Sequence, residues 1–580
     1  MKIEDLELRD MIRIKHILLA TAVVSSLGLF AQHNEEVTIE GTYRPKINKV
    51  DKILMKAEMP EHTFEMPSTE VGVLDIEHRF PLELEKLSAM PFNVKGSLQE
   101  TPTKNFLMAG MGTRLSPVFF YKHNSMLTKT LGLGVGIKHY SSWLDIKDYA
   151  PSGFMNNAFD ISLFSKQSDK LQFKGNVYYK NDVVHYYGVR KSEWMGTEAA
   201  LEKATPRQAY NTIGMHFESS STTTRLREIS EEAAVDYHYM YSGFGNTEHF
   251  FGLNFRTTYS NNWWGGKNNP QTVGLDFGFT GDVFKSVNTT VSPGSRMALF
   301  YMKPFIEMKD DYYRLHLGFA LDTKGSALNG DSRITMHPDL RGSLYVLDKT
   351  VEFYAGLNGG RHVNTYSEVV GKNPFVGDAL DLLLTNVKLG FEGGVRTNIM
   401  NTLDMHLGVR YRHTDNDPFY TVLGQMIDNQ WVNNTFTLFY DETKVVSLLA
   451  DARWLAVDRL TVDAGFTYNN YRMELLDQPL YRPATEGRLK VNYDFDDNLA
   501  IYSSFLYQGG RYARLDSPLL TTPSFKLKPV LDLGIGADYK VKDELTVFGK
   551  VDNLLHQKYQ LFANYPVTGI QLFAGVKMRF

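Results

Sequence analysis

The most regular feature of the chain is a two-residue alternation of apolar and polar side chains. Segment Leu171–Lys180 reads LQFKGNVYYK, so that leucine, phenylalanine, glycine, valine and tyrosine share one face and mainly polar residues share the other. The same alternation runs through Tyr313–Asp322, Leu403–Arg412, Leu460–Asn469 and Leu531–Tyr539. Because successive side chains of a β-strand point to opposite faces, the pattern predicts strands with one apolar and one polar face.

Such strands can belong to a membrane barrel or to a soluble antiparallel sheet with one wet face. The lengths of the connections between the strands favour the membrane barrel. Tight polar turns such as Ser165–Lys170 and Lys540–Glu544 alternate with longer connections such as Val184–Arg207 and Thr365–Leu382, an asymmetry typical of outer-membrane barrels. Aromatic residues also gather near strand ends, as in Tyr178–Gly188, where a membrane interface would hold them.

Residues 105–580 are therefore predicted to be all-β. The expected fold is a transmembrane antiparallel β-barrel of about 20–22 strands, each about ten residues long or more. A barrel of this width cannot fill its interior with the side chains of its own strands. Its lumen must be closed by another part of the chain or by a partner, or it would leak.

The N-terminal region has a different composition. Within residues 1–31, Arg13 and Lys15 precede the apolar stretch Ile17–Phe30, which predicts a signal peptide with initiation at either Met1 or Met11. Residues 32–104 carry six prolines and little alternation. They are predicted to be a short extended segment that lies in the periplasm or enters the lumen as a partial plug.

Composition removes several classes of function. The 62 basic and 66 acidic residues leave a formal charge of −4, which argues against a nucleic-acid-binding protein. A mean hydropathy of −0.29 argues against a helical membrane protein, which needs repeated long apolar runs. The absence of cysteine excludes disulfides, thiol catalysis and cysteine-ligated zinc.

No motif of a common enzyme class is present, and we predict no catalytic residue, no cofactor and no resident metal. The stretch Leu131–Gly136 reads LGLGVG, but glycines that alternate along a strand are better explained by crowding on the inner wall than by phosphate binding. Inward polar residues such as His316 and His406 are interpreted as part of a charged lumen wall.

Three tryptophans in predicted connections are candidate ligand contacts. Trp194 lies in a long connection, and Trp263 and Trp264 lie side by side in the sequence NNWWGGKNNP. Paired indole rings among polar residues can stack on a sugar or another amphipathic ligand. They can equally anchor the protein at the membrane interface, and the sequence leaves both interpretations open.

The C-terminal end resembles a known family. The last strand, Ile570–Phe580, alternates and ends in Phe580, which is similar to the signal read by the barrel-assembly machinery of the outer membrane. The preceding segment resembles the closing hairpin of TonB-dependent receptors, in which a V-x-N-L-F-D-x-x-Y-like pattern precedes a final G-V-x-x-x-F strand. The matching residues are Val551, Asn553, Leu554, Leu555, His556 and Tyr559, followed by Gly575, Val576 and Phe580.

The N-terminal segment carries a second resemblance. Glu36, Val37, Thr38 and Ile39 resemble the short segment through which these receptors contact the energy-transducing protein TonB. An extended peptide of this kind offers its backbone to the edge of another sheet. An ordinary extended segment after a signal peptide is the alternative interpretation.

The resemblance implies a protein of the Gram-negative outer membrane that transports a nutrient and is not an enzyme. The partners it implies are outer-membrane lipid, the barrel-assembly machinery, TonB and a surface lipoprotein, with no nucleic acid. The chain departs from the family because residues 33–104 stand where a folded plug is expected, and the glycine- and arginine-rich signatures of that plug are missing. In this it resembles a plug-less or plug-reduced group of Bacteroidetes type.

Three functions therefore stay open at the level of sequence. The first is TonB-coupled import through binding to loops and lumen. The second is a passive or partner-gated channel, and the third is a structural or assembly subunit of an envelope complex.

Overall fold

The strands of the main sheet form a closed ring in which the first strand pairs with the last. The computed structural model describes residues 104–580 except 169–170, 222–225, 265–268, 289–291, 293, 326–333, 458, 518–519 and 522. The predicted signal peptide and the segment 32–103, which includes Glu36, Val37, Thr38 and Ile39, lie outside the described residues. The ring contains 22 antiparallel strands, at the upper limit of the predicted number.

The 22 strands follow one another around the ring in chain order, each antiparallel to its neighbours. Their bounds are β1 Asn105–Gly112, β2 Ser116–Met126, β3 Leu131–Ser142, β4 Phe154–Lys166, β5 Leu171–His185, β6 Arg207–Ser221, β7 Ile229–Ser242, β8 Thr247–Asn261, β9 Gln271–Lys285, β10 Ser295–Lys309, β11 Tyr313–Gly325, β12 Ile334–Val346, β13 Val351–Val363, β14 Leu384–Ile399, β15 Leu403–Ile427, β16 Gln430–Val457, β17 Leu460–Met473, β18 Thr485–Asp494, β19 Leu499–Gly509, β20 Val530–Lys542, β21 Leu545–Asp552 and β22 Gln571–Arg579.

The ring closes between β1 and β22. Their register runs from Phe106 opposite Arg579 to Gly112 opposite Phe573, and the amide of Asn105 donates to the carbonyl of Phe580 at 2.8 Å. Closure of this kind leaves no sheet edge with unpaired backbone groups, which is the condition for a β-structure to cross a bilayer.

The outer face of the ring is apolar. On β4 and β17, for example, Phe159, Ile161, Leu163, Phe466 and Tyr468 are each about two-fifths to one-half exposed, whereas the residues between them point to the lumen. A continuous belt of exposed apolar side chains on a closed barrel is the surface that lipid covers. The predicted faces of the transmembrane strands are therefore confirmed.

The glycines of LGLGVG face the lumen, as predicted from the sequence. A Cβ atom at Gly134 would collide with the hydroxyl of Ser162, and one at Gly136 would collide with the carboxylate of Asp160, both on β4. Glycine is required there because the side chains of the neighbouring strand occupy the space.

The two ends of the barrel differ. One end carries both termini of the ring and short connections after the even-numbered strands, including 127–130, 400–402 and 543–544. The opposite end carries longer connections after odd-numbered strands, above all 186–206 and 364–383. In outer-membrane barrels the short turns are periplasmic and the long loops extracellular, so we assign the long-connection end to the cell exterior.

One hairpin is much longer than a membrane crossing requires. β15 and β16 contain 25 and 28 residues, against the roughly ten residues that span a bilayer. The register of this pair shifts between Thr414 and Asp417 and again between Leu423 and Gln425. Bulges of this kind bend a ribbon, and we call the part beyond the membrane, residues 414–445, the hairpin.

Smaller elements occupy the long connections. Two helices, α1 Glu198–Ala204 and α2 Tyr366–Lys372, lie in 186–206 and 364–383, and a single 3₁₀ turn spans Lys191–Glu193. Short strands of two or three residues form ladders of two residue pairs each within 510–529 and 553–570. In the part of the chain that the structure describes, no helix has the length and apolarity needed to cross a membrane.

The assignment of the faces leads to a stability prediction for Phe466→Arg. An arginine on the lipid face near the bilayer centre should lower the free energy of unfolding by about 2–4 kcal/mol. Thr467→Arg is the matched control, since Thr467 is the next residue of β17 and points to the lumen. Reversible denaturant unfolding of the protein in liposomes measures both, and equal losses for the two variants would contradict the assignment.

Candidate functional site

The exterior mouth of the barrel is covered by the protein's own connections. Residues 364–383, which join β13 to β14 and include α2, run across this mouth, and we call them the lid. The connections 186–206, 510–529 and 553–570 and the hairpin pack around the lid. Together they form a hydrophobic core that contains most of the fully buried apolar side chains of the described chain.

Hydrogen bonds fasten one side of the lid to the wall formed by β5–β10 and their connections. The hydroxyls of Tyr186 and Tyr210 donate to the carbonyls of Val376 and Pro374, each at 2.6 Å. Further along the lid, the carbonyl of Asp378 accepts from the side chains of Asn246 and Ser286 at 2.9 Å. Side-chain donors from the wall thus satisfy lid carbonyls that have no partner in a regular strand or helix.

The other side of the lid is bound to the hairpin. The amide of Gly377 donates to the carbonyl of Phe436 at 2.8 Å, and the amide of Phe436 donates to the carbonyl of Phe375 at 3.0 Å. The hydroxyl of Tyr440 donates to the carbonyl of Asp381 at 3.1 Å. The lid is therefore held from both sides, between the β5–β10 wall and the hairpin.

Aromatic rings fill the space around the lid. The rings of Phe375 and Tyr565 are stacked with their centroids 3.7 Å apart, and Tyr187 meets both of them edge-on. Phe436 and Phe562 extend the cluster with a centroid distance of 5.4 Å. Aromatic pairs of these geometries contribute about 0.5–1.5 kcal/mol each beyond the burial of their surface.

The buried tyrosines of this cluster remain hydrogen-bond donors. Burial raises the pKa of Tyr186 and that of Tyr565 well above the usual range, because the low dielectric disfavours a phenolate. The hydroxyl of Tyr565 donates to the carbonyl of Asn434 in the hairpin. These hydroxyls therefore stay protonated and keep their hydrogen bonds throughout the physiological pH range.

A buried arginine joins two of the surrounding connections. Arg511, in 510–529, is 2 % exposed and donates to the carbonyls of Gln560 and Leu561 in 553–570. It forms no ion pair with a described carboxylate. Burial lowers the pKa of Arg511 to about 10, so the guanidinium stays charged at neutral pH, where the two peptide carbonyls stabilise it.

The sequence of the lid explains its helix. Thr365 begins the pattern Thr-x-x-Glu, in which a hydroxyl caps the first turn, and its Oγ1 accepts from the amide of Glu368 at 3.2 Å. Tyr366, Val369 and Val370 of α2 are buried. The helix therefore presents an apolar face to the covered mouth.

The predicted site residues fall in different parts of the structure. Trp194 lies on the exterior side in 186–206, where its indole N–H donates to the carbonyl of Thr197 at 3.0 Å. Trp263 and Trp264 stack with centroids 6.0 Å apart, but they lie in the 262–270 connection at the opposite end of the barrel. The structure does not bring the three rings together, and the position of the pair fits the membrane-interface alternative. Phe580 directly follows the last strand and is exposed.

Sequence reasoning missed the covering of the mouth. The predicted loops contain apolar runs, PFVGDALDLLL over 374–384 and LFANYPV over 561–567, which are unusual for loops that project into water. These apolar runs are the feature of the sequence that indicates buried connections. They supply Val376, Leu380 and Tyr565, which are among the most buried side chains of the described chain.

One cluster on the barrel has the residue types of a metal site. Ligand atoms of His413, Asp415 and Glu442 lie within 4.8 Å of one another. Lys388 already occupies the cluster, because its Nζ lies 2.6 Å from Asp415 Oδ1 and 3.0 Å from Glu442 Oε2. We describe it as a charge-balanced ion-pair cluster.

The packing of the lid gives a prediction for Tyr565→Ala. Loss of the ring removes the stack on Phe375 and leaves a cavity, which should weaken the covering of the mouth by about 3–5 kcal/mol. Tyr565→Phe keeps the ring and loses only the hydroxyl bond, at a cost of about 1–3 kcal/mol. Hydrogen exchange of the lid amides measures both, and unchanged protection in Tyr565→Ala would contradict the packing.

Comparison with solved structures identifies proteins of the same fold. The siderophore receptor PirA from Acinetobacter baumannii has a TM-score of 0.62 at 12% identity, and the match covers 83% of this chain and 81% of that one. The ferric-catecholate import receptor Fiu from Escherichia coli K12 has a TM-score of 0.59 at 10% identity, with 83% and 82% covered. The FrpB iron transporter from Neisseria meningitidis has a TM-score of 0.59 at 12% identity, with 83% and 82% covered.

No protein-family profile matches the chain, and no curated protein matches it in sequence. The similar structures are transport receptors and not enzymes. At 10–12% identity the likeness establishes the fold alone. The resemblance to TonB-dependent receptors that the sequence predicts is thus confirmed in the architecture of the barrel.

Proposed function

We propose that the protein is an outer-membrane import barrel that opens its covered mouth to admit a nutrient and is coupled to TonB. The observation that carries the proposal is the lid, bound between the β5–β10 wall and the hairpin across one end of a barrel that has the fold of transport receptors. A permanently open diffusion channel has no use for such a cover. A barrel that binds its solute before admitting it needs such a cover.

The lid gives import a definite first step. A solute approaching from the exterior meets the connections 186–206, 510–529 and 553–570 before it can reach the lumen, so binding has to displace packed side chains. Binding energy can drive that displacement only if the solute contacts the open arrangement better than the closed one. Loops that form a core with the lid can couple the two events directly.

The class of solute follows from the similar structures, as a proposal. Those proteins are named for ferric catecholates, siderophores and iron, so metal chelates of comparable size are the first candidates for this chain. Nutrients of that size exceed what simple diffusion pores admit. The Gram-negative setting and recognition of Phe580 by the barrel-assembly machinery belong to the same proposal.

A second candidate function is a channel opened by a surface lipoprotein. Exposed apolar side chains at the tip of the hairpin and in the adjoining connection favour it: Met195 is 88 % exposed and Met426 is 55 % exposed. The two segments are joined because the amide of Met195 donates to Gln430 Oε1 at 3.0 Å. A partner seated on this patch would contact the covered mouth from outside.

Coupling to TonB is tested by Val37→Pro in the full chain. Strand addition uses backbone N–H groups, and proline removes one and fixes the local backbone. The variant should bind the purified periplasmic domain of TonB at least tenfold more weakly than the parent, as measured by calorimetry.

The matched control is Val50→Pro, which places the same change in the same N-terminal region but outside Glu36–Ile39. It should bind TonB as the parent does. Equal binding by the parent and Val37→Pro, or no binding by the parent, would remove TonB coupling and leave the partner-opened channel as the better candidate.

A further inference from the structure

A buried carboxylate of the barrel wall binds the first helical turn of the lid. Glu248, near the exterior end of β8, is fully buried and accepts from the backbone amides of Tyr366 and Ser367, the latter at 3.0 Å. His238 on β7 places its Nε2 3.0 Å from Glu248 Oε2 and 3.1 Å from the hydroxyl of Ser367. The first turn of α2 is therefore tied to the wall through Glu248.

A second carboxyl group lies beside the first and has no donor. Asp282, near the exterior end of β9, is also fully buried, and neither of its oxygens receives a hydrogen bond within the described chain. It forms no ion pair with a described lysine, arginine or histidine. Glu248 lies diagonally across from it on the same face of the sheet, because Glu248 on β8 pairs with Phe284, two residues along β9 from Asp282.

Two adjacent buried carboxylates cannot both be ionised without a cation between them, because each would lack solvation and would repel the other. Glu248 already has its donors in the lid, whereas Asp282 has none. A proton on Asp282 turns it into an O–H donor toward Glu248. This removes the charge that lacks solvation and the repulsion between the two carboxylates. We propose that Asp282 and Glu248 share one proton when the lid is seated, so that the pair is a proton-linked latch for the mouth of the barrel.

The direction of the pH effect follows from what happens when the lid lifts. Asp282 and Glu248 then meet the water of the mouth, where an aspartate is ionised above about pH 4. Seating the lid takes up one proton, so the seated population should fall by up to about tenfold for each pH unit above that value. The effect ends at the alkaline pH where Asp282 ionises beneath the seated lid.

Other titratable groups lie near the pair. His238 faces it from β7, where its Nε2 contacts Glu248 and Ser367. Glu368 of α2 lies close enough to disfavour an ionised Asp282, and it is itself paired with His362 at 2.9 Å. Tyr366 is neutral, because burial raises its pKa to about 12.

The test uses the absence of cysteine from the chain. Val376→Cys places one thiol in the lid at a fully buried position, and Met195→Cys places one at an exposed position. The rate of modification by a water-soluble maleimide is measured for each in the full-length protein in liposomes from pH 6 to pH 8. The ratio of the two rates reports opening of the lid, since the intrinsic pH dependence of the thiol largely cancels.

In the parent background the ratio should rise with pH, by up to about tenfold per unit. Asp282→Asn supplies an amide donor to Glu248 that does not titrate, so the ratio should stay low and lose most of its pH dependence. Asp160→Asn is the matched control, because Asp160 lies midway along β4, opposite Gly136 and not at the exterior end of the strand, and this variant should behave as the parent does.

The latch would be overturned if the ratio of the two modification rates in the parent did not change with pH. It would also be overturned if that ratio depended on pH equally in the parent and in Asp282→Asn. Should Asp282→Asn fail to assemble, Glu248→Gln decides: the latch predicts a high ratio at every pH, and an unchanged parent-like slope contradicts it. The inference rests on the lid alone. It therefore stands or fails independently of the result for Val37→Pro.

Discussion

The structure depends on the pairing of β1 with β22, which leaves no strand of the ring with an unpaired edge. Within a bilayer no water is available to satisfy backbone groups, so a sheet can cross only when it is closed. Closure with 22 strands fixes a bore too wide for the strands' own side chains to fill. The covered mouth is a consequence of that width, because a barrel that neither leaks nor stays open needs additional chain in its opening.

The covering is built from two kinds of interaction that have different uses. Aromatic rings around Phe375 and Tyr565 bury apolar surface in stacked and edge-on contacts. Hydroxyl and amide donors from Tyr186, Asn246 and Ser286 fix the position of the lid by occupying its carbonyls. The single carboxyl pair beneath α2 is the exception, since it brings like groups together and makes the seating of the lid sensitive to protons.

The sequence predicted the barrel much better than the site. Alternation along β5, β11 and β17 predicted which side chains face lipid, because the two-residue period of a strand is local and needs no knowledge of the partner strands. The covering of the mouth depends on contacts between residues far apart in the chain, such as Tyr186 with Val376 and Tyr565 with Asn434. Local sequence patterns do not predict such pairs. Only the apolar runs in 374–384 and 561–567 indicate that these connections are buried. Trp263 and Trp264 could not be placed because the direction of each strand depends on a full strand count.

Every feature of the structure requires the ring to be a membrane cylinder with lipid outside and water inside. Spin labels placed singly at residues 173–179 of β5, in the cysteine-free chain in liposomes, test it most directly. Collision with oxygen, which concentrates in lipid, should peak at 173, 175, 177 and 179. Collision with a water-soluble nickel chelate should peak at 174, 176 and 178. Collision rates without a two-residue period, or with water accessible at every position, would contradict it.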